Sequence, residues 1–167
     1  MRILVAIDGS EHSEAVVDEV AHRHFPADSE VRVVSVVEPP YAAVAYSGVD
    51  PAITYSGAGV DMQLYAVMES ASREAARAAV EKAATKLRAD ERTRGVSVTT
   101  EVLSGSPKGI ILEEAEAFGA DLIVVGSHGH GMLERFLLGS VSQAVALHAK
   151  CSVEIVRSRK TQTSESE

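Results

Sequence analysis

Apolar positions along this chain recur with two periods, and the two alternate. Ile3 to Ile7 is an unbroken apolar run, the pattern of a strand buried on both faces. After Ser10, a residue type favoured at helix N-caps, Val16, Val17, Val20, Ala21 and His24 return to one helical face. Val31 to Val37 reads as a second buried strand. From Asp61 to about Arg92, the spacing of Tyr65, Met68, Ser72, Ala75, Ala79, Ala83 and Leu87 predicts a long amphipathic helix that stops before Gly95. Val96, Val98, Thr100 and Val102 then alternate with Ser97, Thr99 and Glu101, as in a half-exposed strand at a sheet edge. Ser106 and Pro107 open a further helix that Gly119 closes. Leu122 to Val125, a helix from Ser140 carrying Val141, Val145 and His148, and a last strand Val153 to Val156 complete the series.

Five strands separated by four helices require crossover connections, which are right-handed and cover both faces of a parallel sheet. The expected class is α/β, doubly wound, in one domain over residues 1–157. Glu38 to Val60, with Pro39, Pro40, Pro51 and Tyr41, Tyr46 and Tyr55, is too long a connection for a compact core and reads as an insertion. It is a surface loop on the plainer reading and a lid on the functional one. The polar stretch 158–167 reads as a disordered tail.

Composition narrows the function classes. A net charge of −8 disfavours a phosphate-tracking surface, so no nucleic acid is expected as partner, while a small anion held by backbone amides is compatible with it. No apolar run approaches bilayer length and no basic-plus-apolar leader follows Met1, so neither membrane nor export is expected and the cytoplasm is the expected compartment. The single cysteine, Cys151, has no partner for an internal disulfide and reads as a small buried hydrophobe.

The candidate chemistry lies in GSHGHGMLERFLLGSVSQAV. Gly126 and Gly129 follow the fourth strand, and Gly139-Ser140 opens the last helix. At such a place a helix N-terminus offers N–H groups, and residues without side chains let an anion approach them. Asp8, directly after the first strand, lies at the carboxyl ends of the strands if the sheet is parallel, where open α/β sheets bind ligands. Two roles are open to it: acceptor for a ribose or a metal, or an Asx turn or cap with Ser10.

Other templates do not match. There is no GxxxxGK[ST], no complete dinucleotide fingerprint, no G-x-S-x-G elbow, and no histidine set with ligand spacing among His12, His22, His24, His128 and His130. A receiver-type phosphoacceptor site lacks its paired carboxylates and its lysine after the last strand.

MRILVAIDGSEHS, DLIVVGSHGHG and LLGSVSQAVALHAKCSVEIVR together resemble the universal stress protein family, and the spacing G-x2-G-x9-G-[ST] is met at Gly126, Gly129, Gly139 and Ser140. The resemblance implies a parallel sheet in the order 3-2-1-4-5 and a homodimer paired through the last strand. For the family's ATP-binding branch it further implies an adenine nucleotide, ATP with Mg or Mn. The implied contacts are Asp8 at the ribose, the Val36 backbone at the adenine, and Gly126, Ser127, His128, Gly129, Gly139, Ser140, Val141 and Ser142 around the phosphates, with Ile7 also among the nucleotide-binding residues. Three outputs remain open: nucleotide-dependent signalling, slow ATP hydrolysis or autophosphorylation, and a dimeric interaction module.

Overall fold

The computed structural model describes residues 1–39, 62–129 and 138–158. Nearly all of the 38–60 insertion, His130, Gly131, Arg135 and the tail beyond Ser158 lie outside the described residues. Strands β1 (Arg2–Ala6), β2 (Glu30–Val37), β3 (Ser97–Ser104), β4 (Leu122–Gly126) and β5 (Ser152–Val156) alternate with helices α1 (Glu11–Ala21), α2 (Met62–Ala89), α3 (Pro107–Phe118) and α4 (Ser140–His148). The sheet is five-stranded in the order β3-β2-β1-β4-β5, and every pair is parallel. Among the described residues no helix is long and apolar enough to cross a membrane.

Strand alternation divides the core. Ile3, Val5, Val31, Val33 and Val124 face α1 and α2, where Val16, Val20, Val80 and Leu87 meet them. Leu4, Ala6, Val34, Ile123 and Val125 face the other way, onto Ile111, Ala115 and Phe118 of α3 and Val145 of α4. Both faces of β1, β2 and β4 are therefore covered, which is why their sequences are nearly all apolar. β3 lies at the sheet edge with the half-exposed alternation its sequence predicts. The ends of α3 fall where expected, with Ser106 at the N-cap position but without a side-chain cap bond, Pro107 in the first turn and Gly119 left-handed at φ 66°.

Five local expectations need correction. α1 ends at Ala21, and His24 lies beyond it, exposed, because Pro26 restricts Phe25 to extended backbone and leaves no room for a further turn. α2 ends at Ala89, not near Arg92: Asp90 is extended, and its side chain accepts the Arg92 N–H at 2.9 Å to start a separate 3₁₀ turn, Glu91–Thr93. Within α2 burial begins only at Ala76, so Met68 and Ala75 are exposed. In the last helix and strand, His148 is exposed, and Cys151 is half-buried at the margin of the α3–α4 core instead of inside it.

Candidate functional site

β1 and β4 are adjacent and end level with one another, with Ala6 opposite Val125. The chain leaves β1 for α1 on one face and β4 for α4 on the other, so a crevice opens where the strand order reverses. β2 runs on to Val37, three residues past Val34, the last partner of β1. The Ile7 N–H donates to the Val34 carbonyl at 2.9 Å, which fixes the side of β2 that faces β1. Two residues later the Val36 N–H and C=O turn the same way, and β1 no longer covers them. They face the crevice.

The crevice encloses about 420 Å³, within the size range of small-molecule sites. Of the residues singled out in the sequence, Ile7, Asp8, Val36, Gly126, His128, Gly129, Gly139, Ser140, Val141 and Ser142 all line it. Ser127 does not. It is buried behind the loop, where its carbonyl accepts the Gly139 N–H at 2.7 Å and the Ser142 hydroxyl at 3.2 Å, tying β4 to the start of α4. Sequence reasoning missed Ser13, Glu38, Pro107 and Ile111, which also line the crevice from three separate elements.

Of the two roles considered for Asp8, the structure shows the Asx turn with Ser10. Its Oδ1 accepts the Ser10 N–H at 3.0 Å, the Asx-turn bond, and also the Ser10 and Ser13 hydroxyls, each at 2.6 Å. Ser13 Oγ in turn accepts the Asp8 N–H at 2.9 Å. Ser10 is thus the N-cap of α1 by position, but its side chain serves Asp8 and not the helix. The other carboxylate oxygen, Oδ2, lies against Gly129, where a β-carbon would come within 2.6 Å of it. A β-carbon at Gly139 would lie 3.1 Å from the Ser127 carbonyl. A β-carbon at Gly129 would therefore have to move the Asp8 carboxylate, and one at Gly139 would crowd the Ser127 carbonyl by a few tenths of an ångström.

The first helical hydrogen bond of α4 is donated by Gln143 to the Gly139 carbonyl at 2.9 Å. Ser140, Val141 and Ser142 precede it, the part of a helix whose N–H groups have no intrahelical acceptor and where the dipole is positive. Among the described lining residues the formal charges are the carboxylates of Asp8 and Glu38, with no lysine or arginine. His128 stands at the α1 side, its Nδ1 3.1 Å from Ser127 Oγ and its ring 6.0 Å from that of His12. Among the described residues no three histidine, cysteine or carboxylate side chains converge as a metal-ligand set. A wider, more open depression of about 950 Å³ lies between α1 and the outer edge of β5, away from the glycines.

Sheet order, crevice and glycine loop define a doubly wound α/β protein with a cleft at the carboxyl ends of its strands. The model of the universal stress protein family matches residues 1–157, and the chain belongs to that family. A putative universal stress protein of Staphylococcus haemolyticus is 32% identical over 157 residues, covering 93% of this chain and 83% of its own. Among solved structures, universal stress protein UspA from Lactobacillus plantarum superposes with a TM-score of 0.72 at 24% identity, over 94% of this chain and 97% of that one. A family protein from Arabidopsis thaliana with AMP bound superposes at 0.60 and 16% identity, over 99% and 96%. Two further family structures share the fold. One is a complex with cAMP, at 0.58 and 21% over 94% and 96%. The other, from Archaeoglobus fulgidus, is a complex with dAMP, at 0.53 and 23% over 93% and 97%.

Proposed function

We propose that the crevice binds an adenine nucleotide, ATP accompanied by magnesium or manganese, and that the protein acts in stress response or signalling through nucleotide-dependent conformation or oligomerisation. The observation that carries this reading is the order of groups along one cleft. The outward backbone edge of Val36 offers the donor and acceptor that an adenine edge needs. The Asp8 carboxylate beside Gly129 suits a ribose, and the N-terminus of α4 behind Gly139 suits phosphates. The family structures with AMP, cAMP and dAMP support the same ligand class.

The donor set fits a cation-bearing ligand. With Asp8 and Glu38 as the charged described residues of the lining, a polyphosphate meets like charge, and a divalent ion held by the phosphate oxygens offsets it. The ion contributes charge neutralisation when bound; this chain contributes the backbone donors and the ribose acceptor. Assembly completes the reading: no described strand pairs with the outer edge of β5, Val153 to Val156, and this is the edge through which a homodimer would pair.

Calorimetry with ATP, AMP and cAMP, with and without magnesium, together with mass spectrometry of nucleotide extracted from purified protein, tests this. Binding of ATP strengthened by magnesium is expected. Absence of affinity for all three nucleotides overturns the reading, and magnesium-independent preference for AMP or cAMP replaces ATP as the ligand.

A further inference from the structure

α2 has two apolar faces. Its core face begins at Ala76 and continues through Val80, Ala83 and Leu87, while no residue from Gln63 to Ala75 is buried. Ala79 lies 3.5 Å from where a Gly9 β-carbon would stand, level with the end of β1. The helix N-terminal to it runs about 25 Å further, at ~1.5 Å per residue. Along this arm Leu64, Val67, Met68, Ala71, Ala75 and Ala78 fall within an arc of about 100°, set well away from the core face. All six are exposed; Leu64, Val67 and Met68 have relative exposures of 57%, 61% and 50%.

The same line of the helix continues C-terminally as Lys82 and Lys86, which pair with Glu14, at 2.6 Å, and Asp18 of α1. Where α1 covers the line it is charged, and where no described element covers it, it is apolar. That is the reverse of what a solvated arm requires, since an uncharged apolar stripe of this kind marks an interaction surface.

We infer that the arm is a self-association surface, and that its occupant is the same arm of a second copy lying antiparallel about a two-fold axis near Ala71. The grading of side-chain size argues for this partner. The stripe runs from large residues at Leu64, Val67 and Met68 to alanines at Ala71, Ala75 and Ala78. An antiparallel copy sets Leu64 against Ala78 and Val67 against Ala75, which keeps two helices evenly spaced along their length. α1 begins at Glu11, one turn before the Glu14–Lys82 pair, so its first turn is level with Ala78 and the arm from Leu64 to Ala75 extends beyond it. A contact over some 21 Å of helix covers less than the roughly 800 Å² per partner of a stable complex, so the association is weak and concentration-dependent. The buried part of α2, from Ala76 on, packs over β2 and β3, at the far side of the sheet from β5, so an interface on the arm that extends from it is separate from pairing at the β5 edge.

Disulfide trapping tests it without reference to nucleotide. In a Cys151→Ser background, Ala71→Cys brings two thiols together at the axis, and mild oxidation should yield a covalent pair whose fraction rises with protein concentration. Arg77→Cys, on the opposite side of the helix, should give little. Adding Val67→Glu to the Ala71→Cys chain should lower the trapped fraction at least about tenfold, because a carboxylate would lose water at the contact. Circular dichroism and thermal melting should be unchanged, since Val67 is exposed. Failure of Ala71→Cys to cross-link at high concentration, equal trapping by Arg77→Cys, or insensitivity to Val67→Glu overturns the proposal and leaves the stripe to residues 40–61 or to a different protein.

Discussion

Gly129 and Asp8 meet across the crevice so closely that a single added β-carbon at Gly129 would sit 2.6 Å from Asp8 Oδ2. The glycine belongs to the loop after β4 and the aspartate to the loop after β1, so the contact joins the two sides of the strand-order reversal. Gly129→Ala must push the carboxylate aside. If Oδ2 serves a ribose, the substitution should weaken nucleotide binding by about 1–3 kcal/mol, the worth of a hydrogen bond to a charged group, while the fold survives. Calorimetry against ATP measures it, and unaltered affinity would remove Asp8 Oδ2 from the site.

The two oxygens of Asp8 separate affinity from stability. Oδ1 accepts three hydrogen bonds, from the Ser10 N–H and from the Ser10 and Ser13 hydroxyls, and both serines are buried. Asp8→Ala leaves those donors without their acceptor and should lower stability by about 1–3 kcal/mol in urea unfolding, besides weakening binding. Asp8→Asn keeps an acceptor at Oδ1 but turns a donor toward Gly129. It should unfold close to wild type and still bind nucleotide poorly. Equal loss of stability in the two variants would show that the charge, not the acceptor geometry, holds the α1 entry.

How much of this was legible in the sequence depended on how local the cause was. The strand–loop–helix around Gly126, Gly129 and Gly139 is written in consecutive residues, and the structure keeps its bounds. The Val36 edge is different: its exposure follows from β1 stopping at Ala6 while β2 continues, a register relation that periodicity does not encode. Ser13, Pro107 and Ile111 reach the crevice because α1 and α3 lie on opposite faces of the sheet, so no spacing along the chain announces them. In α2 the abundance of alanine allows two apolar faces, and the periodic set through Met68 and Ala75 mixed them. Only burial, which starts at Ala76, separates the two.

Cys151 sits beside Asp121, at the margin of the α3–α4 core. Burial, reinforced by the Asp121 carboxylate, holds its thiol pKa above the ordinary value. The thiolate is the reactive form, so alkylation at neutral pH should be slower than for a free thiol and should recover on unfolding. The linkage has a sign. As pH rises through the unfolded thiol's pKa, the unfolded chain ionises first, so this group's contribution to stability is full below that pH and declines above it. Asp121→Asn should quicken alkylation by lowering the thiol pKa; a rate equal to that of a free thiol in the native wild type contradicts the assignment.

The edge of β5 offers the test of assembly. The Val156 carbonyl accepts the Ser127 N–H at 2.8 Å, and the Ser152 N–H donates to the Asp121 carbonyl at 3.3 Å, so even-numbered residues of this strand direct their backbone groups toward β4. By strand alternation, Val153 and Ile155 direct theirs outward. A two-fold axis beside the strand would pair these outward groups antiparallel and close the edge. Ile155→Pro removes an outward donor while leaving the bonds of Ser152 and Val156 to the β4 side in place. Light scattering of the wild type should give twice the monomer mass and the variant predominantly the monomer mass, with matching far-ultraviolet circular dichroism. A wild type that remains monomeric at micromolar concentration removes the dimer. A folded proline variant that remains dimeric moves the interface away from β5, and adding Val67→Glu then tells whether the α2 arm supplies it.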